Sequence, residues 1–252
     1  MRVTAMPYTY DVAEGNVAGH ETLWEDGINT DVDNVEEDLW TFGGKYVFPS
    51  SAQKMEVVST STKDHATGSG VRTVRIGYLD SKFEKQSETV NLSGITAVNT
   101  VSTDIYRVNS IRVVATGTGL IADGRIDIRH LTNSPVYRTI AKGYTKGRVC
   151  IFTVPSSQTA YITEMNVSVG YPGGGRFARF TLRANYDEVF NMKRAFMIPH
   201  SEIGHEDGGL HVDFSTPLRI PATCDVVLSV IGDAVNADAI CGGALRGWYE
   251  KD

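Results

Sequence analysis

The sequence predicts an all-β protein: two tandem antiparallel β-sandwich domains, jelly-roll-like or Ig-like, behind an extended N-terminal arm. Three observations predict it. Runs rich in Val, Ile, Thr and Tyr recur with a period of about two, each bounded by Gly, Ser, Asn or Asp. Glycine (25) far exceeds proline (8), as many tight turns require. Apolar residues make up 41% of 252 residues, enough to cover the inner face of more than one sheet.

The runs between Lys54 and Val114 set the plan of the first half. Strands are expected at Lys54–Ser59, Val71–Leu79, Glu88–Leu92 and Asp104–Val114. Two shorter ones follow at Arg125–Leu131 and Val136–Ala141, parted by Asn133–Ser134–Pro135. The polar segment GYTKGR (143–148) marks a boundary, which gives an arm over 1–40, a first sandwich over 41–145 and a second over 146–252. In the second half, strands are expected on either side of Pro155–Ser156–Ser157, then at Phe177–Ala184 after the glycine-rich tip YPGGGRF. A strand–turn–strand over 186–199 with Met192 and Lys193 in the turn, a buried-type strand at 224–232, a turn and short strand in AVNADAICGG and a last strand in ALRGWYEKD complete the set.

Residues 1–40 hold ten acids against one base, Arg2, whereas the remaining chain carries 23 bases and 20 acids. An acidic stretch of low periodicity is commonly solvated and disordered, but Trp24 and Trp40 require burial somewhere. The expectation is an arm that docks on its own body or on a neighbouring subunit. No basic stripe is present to neutralise phosphates, so nucleic acid is not expected as a partner. No run of 18 apolar residues exists and the N-terminus lacks an apolar signal region, so neither a membrane span nor secretion is expected.

Candidate sites are few. DGINTDVDNVEED offers Asp31 and Asp33 to a calcium loop, but Val35 and Glu36 stand where that loop needs an oxygen ligand and a glycine. Gly117, Gly119 and Gly124 fall short of a dinucleotide fingerprint, because Ala122 occupies the third glycine's place and a strand pattern follows. Arg176, Arg179 and Arg183 interleaved with Phe177 and Phe180 fit a strand with arginines outward. Metal-ligand types gather in one stretch: His200, His205 and His211 with Glu202, Glu206, Asp207 and Asp213. Their spacing matches no helical pair and Gly208–Gly209 suggests a loop, so a polar loop or subunit contact is the reading and no metal site is assigned. Cys150, Cys224 and Cys241 read as buried free thiols. No catalytic or cofactor-binding residue is assigned, no cofactor is expected and the protein is not expected to be an enzyme.

Three phrases carry a family resemblance. They are VDNVEEDLWTFGGKYVFPSSAQKMEVVSTSTKDHATGSGVRTVRIGYLDSKFEKQSETVNLSG, YTKGRVCIFTVPSSQTAYITEMNVSVG and STPLRIPATCDVVLSVIGDAVNADAICGGALRGWYE. Together they resemble a type of tailed-bacteriophage virion structural protein, over most of the chain from Asp31. Ser156–Ser157 stand where such proteins usually carry Ala-Gly. The resemblance implies a virion component made in host cytoplasm. The leading expectation is a head decoration or cement protein that reinforces contacts between capsid subunits. A tail or tail-fibre-associated adaptor or adhesin is the alternative, and a carbohydrate-binding or metal-dependent module is a third. Implied partners are further copies of the chain, as a trimer, and the major capsid protein or tail and fibre proteins.

Overall fold

The computed structural model describes residues 8–170, 177–206, 208–233 and 239–251. The expected glycine-rich tip at 171–176, Asp207 and the expected turn at 234–238 lie outside these residues. The described chain is all-β apart from a short helix, α1, at Tyr8–Ala13. In chain order the strands are β1 (His20–Val32), β2 (Glu37–Asp38), β3 (Met55–Ser59), β4 (Val71–Leu79), β5 (Lys85–Asn91), β6 (Val98–Asn99), β7 (Arg107–Thr116) and β8 (Ile126–His130). Then come β9 (Val136–Ile140), β10 (Ile151–Thr153), β11 (Gln158–Gly170), β12 (Phe177–Asp187), β13 (Met192–Glu206), β14 (Gly208–Ile220), β15 (Asp225–Gly232) and β16 (Ala239–Lys251).

The described residues form four antiparallel sheets. In the first half, β6-β3-β8-β9 and β5-β4-β7 share one core, with Met55, Val57, Ile126 and Ile128 from one and Val74, Ile76, Val90 and Ile111 from the other. In the second half, β1-β16-β11-β14 supplies Leu23, Ile162, Met165, Val167 and Leu245. It shares a core with β10-β15-β12-β13, which supplies Phe152, Phe180, Leu182, Leu228 and Val230. Each such large side chain contributes about 1.5–3 kcal/mol by leaving water. A third cluster joins the halves: Trp40, Val149, Ile151 and Val227, with Tyr46, Phe48, Val136 and Met197 packed on it.

The described part of the expected arm carries two strands, β1 and β2. Residues 20–32 pair antiparallel with β16 from His20↔Glu250 to Val32↔Ala239, so the first and last strands of the chain lie side by side. β2 pairs with β15, through Asp38↔Ser229. Both strands therefore belong to sheets whose other members come from the second half. The period of β1 is hidden in the sequence because two of its four buried positions are Gly27 and Asn29. Gly27 is required there: a Cβ would stand 2.3 Å from the Leu39 carbonyl oxygen. The acids of this segment hold bases of the later chain. Asp26 pairs with Lys146 and Arg148, Glu36 with Lys45 and Arg183, and Glu21 with Lys85. The uneven charge of the sequence is thus matched across the fold.

Two further expectations are corrected. Trp40 is buried, but Trp24 is 58% exposed, with the guanidinium of Arg246 over its ring at 4.5 Å. The turn in 186–199 falls at 188–191, with Met192 and Lys193 already in β13. Asp187 sets this turn by accepting the Val189 and Phe190 N–H groups.

Candidate functional site

The stretch expected to be a polar loop, residues 200–213, is mostly strand. β13 pairs with β12 and β14 pairs with β11, which lie in different sheets. The chain passes from one sheet to the other next to Gly208, so neighbours in sequence are parted in space. His200 hydrogen-bonds through Nε2 to the Tyr186 carbonyl at 2.9 Å. His205 lies opposite Ala178, and Glu202 stands 3.8 Å from Arg179. Among the described residues of that set, His211 and Asp213 come together, and the third member of their group is Glu164 of β11, which sequence spacing gives no means of finding.

The register explains the grouping. In β11, Met165 and Val167 face the core, so Glu164 and Asn166 face away from it. In β14, Leu210 and Val212 pack on the core and leave His211 and Asp213 outward. Glu164 is opposite Asp213 and Asn166 is opposite His211. The four side chains form a square on one outer sheet face. His211 Nδ1 lies 2.6 Å from Asn166 Oδ1, and Nε2 lies 2.9 Å from Asp213 Oδ1. The row continues across all four strands, because Arg246 is opposite Glu164 and Trp24 is opposite Arg246. Beside it runs a groove of about 370 Å³ between Trp24, Asp26, Lys146 and Arg148 on one side and Asn166 and Ser168 on the other, floored by Gly242, Gly243 and Ala244.

A second polar centre is internal. Arg107 Nε donates to Asp225 Oδ1 at 2.8 Å and Nη2 to Oδ2 at 3.1 Å, linking β7 of the first half to β15 of the second. Close by, Arg138 donates to the carbonyls of Ile151 and Asn109 and lies 3.7 Å from the Glu25 carboxylate. Burial pushes the Glu25 carboxyl up to about 7, against the pull of Arg138.

The three thiols are buried and free. Burial pushes Cys224 up to about 11 and Cys241 to about 12, and raises Cys150 in the same direction. Such thiols are poor nucleophiles and poor metal ligands. In the acidic stretch, Glu37 Oε2 accepts Asn29 Nδ2 and the Gly44 N–H, each at 2.7 Å, so this carboxylate closes a turn. Three exposed apolar side chains lie on the β12–β13 hairpin, Val189 (82% exposed), Phe190 (68%) and Phe196 (65%), while others such as Val101 and Leu120 are scattered over the first half.

A scan against protein families finds no match, and neither does a search of curated proteins. Among solved structures, the Gt strain of infectious bursal disease virus aligns with 97% of this chain and 77% of its own, at 11% identity and a TM-score of 0.25. The Gx strain aligns with 92% of this chain and 72% of its own, at 11% identity and a TM-score of 0.26. Likenesses this weak carry no argument about fold or function.

Proposed function

We propose that this chain is a structural component of a tailed-bacteriophage virion, made in host cytoplasm, and that it acts as a head decoration or cement protein without chemistry of its own. The observation that carries this reading is the exposed apolar hairpin of β12 and β13 on a body whose charged groups are extensively paired within the fold. Val189, Phe190 and Phe196 stand in water while comparable residues fill the cores, and exposed apolar groups gathered in one place are characteristic of contact surfaces. The resemblance of the sequence phrases to virion proteins points to the same end. The two halves are read as two sandwich units riveted by Arg107 and Asp225, a stiff body suited to bridging neighbours. Further copies of the chain, as a trimer, and the major capsid protein are the partners proposed.

A tail-associated adaptor or adhesin is the second reading, favoured by the same hairpin, since a fibre attachment also needs an apolar contact. Immunogold labelling of intact particles separates them. Label over the head is expected; label confined to the tail would replace the first reading with the second, and unlabelled particles would remove both.

A further inference from the structure

We propose that Glu164, His211 and Asp213 form a three-ligand surface site for a divalent transition-metal ion of the zinc type. The inference rests on side-chain geometry and stands apart from the proposed role in a virion. One ligand atom from each residue lies within 4.8 Å of the other two. A tetrahedral ion with bonds of about 2.1 Å sets its ligands roughly 3.4 Å apart, so rotamer shifts on the order of an ångström close the site. The backbone needs no change, because the three residues already share one face of two hydrogen-bonded strands.

The surroundings favour a cation. Asp213 and Glu164 are directly opposed like charges on neighbouring strands, an arrangement that disfavours the sheet unless it is compensated. Arg246 compensates in part from the far side, 3.5 Å from Glu164 Oε2, and is itself held over the Trp24 ring. A carboxylate oxygen of Glu164 still lies within 4.8 Å of the His211 and Asp213 ligand atoms. Asn166 orients the imidazole through the 2.6 Å contact of its Oδ1 with His211 Nδ1, and Nε2 lies 2.9 Å from Asp213 Oδ1. An outer partner on the non-ligating nitrogen is how metal-bound histidines are commonly fixed. One imidazole with two carboxylates suits zinc, manganese or nickel, whereas calcium and magnesium prefer oxygen throughout. The side chains of His211 and Asp213 are 50% and 72% exposed, so the remaining positions belong to water.

The test is calorimetric titration of the purified full chain, stripped with chelator, with zinc chloride. One ion per chain is expected. His211→Ala and Asp213→Asn should each weaken binding at least tenfold, and Asn166→Ala by about ten- to a hundredfold. His205→Ala should leave binding unchanged. Thermal unfolding of each variant without metal checks the fold, which substitutions on an outer sheet face should preserve. Cobalt(II) supplies a second readout: a visible absorption band from the wild-type chain that is lost in His211→Ala. Absence of zinc binding at millimolar concentration, binding undiminished in His211→Ala, or full displacement of zinc by equimolar calcium would each overturn the proposal.

Discussion

Arg107 and Asp225, 118 residues apart in sequence, meet in a two-point ion pair with side-chain exposures of only 8% and 7%. Neither charge depends on the other alone. Asp225 Oδ1 also accepts the Thr153 hydroxyl at 2.6 Å, and Oδ2 accepts Asn185 Nδ2 at 3.3 Å. Arg107 Nη1 donates to the Pro49 carbonyl at 2.8 Å, and its guanidinium lies 4.1 Å from the centre of the Tyr106 ring. A buried pair of this kind stabilises little relative to apolar side chains of the same shape, but it is costly to halve. Asp225→Ala should therefore lower stability by about 3–5 kcal/mol, read from urea denaturation. The double replacement Arg107→Met with Asp225→Leu should cost less than that single change. Equal or greater loss in the double variant would show that the pair itself, and not the orphaned charge, dominates.

Asp64 makes a comparable prediction within the first half. Its side chain is fully buried and accepts the Ser59 hydroxyl at 2.7 Å and the backbone N–H groups of Val71, Asp123 and Gly124 at 2.8, 3.0 and 2.9 Å. Three loops close on one carboxylate. Asp64→Ala leaves four donors without this acceptor, and each buried orphan costs about 1–3 kcal/mol. The expected result is loss of the cooperative unfolding transition of the first half, or a drop of roughly 3 kcal/mol or more. An unchanged midpoint would contradict it.

Strand existence was legible in the sequence because apolar residues alternate plainly: Val71–Leu79 is found with the bounds expected, and Val136–Ala141 differs by one residue. Pairing was not. β1 conceals its inward face behind Gly27 and Asn29, and its partner β16 lies more than 200 residues away. Asp64 lies among polar residue types between β3 and β4, and only the closed turns reveal four donors converging on it. The His/acid grouping failed for a related reason. Proximity in sequence suggested one cluster, whereas strand register moved His200 and His205 to another sheet and brought Glu164 in from β11.

Glu25 sets a pH dependence. Its folded pKa, about 7, lies above the ordinary glutamate value of 4.5, so the folded state binds more protons than the unfolded chain between these limits. The contribution to stability is full below about pH 4.5 and is lost as pH rises through 7. The carboxyl is 23% exposed, so the shift bounds the effect at about 3 kcal/mol. Glu25→Gln should flatten the stability profile between pH 5 and 7.5, measured by denaturation at a series of pH values. A slope identical to that of the parent would assign the titration elsewhere.

Phe190 and Phe196 separate folding from assembly. Both side chains are mostly in water, so Phe190→Ser with Phe196→Ser should change unfolding by no more than about 0.5 kcal/mol. Self-association in sedimentation experiments, or uptake into particles, should fall sharply. A variant that associates as the parent does would remove the hairpin from the contact surface.

The claim that this chain works by being built into a particle is tested most directly by quantitative mass spectrometry of purified virions against the infected-cell extract. Retention in washed, gradient-purified particles at a fixed number of copies per capsid protein is the predicted result. A chain left wholly in the soluble extract, with none in finished particles, would contradict it.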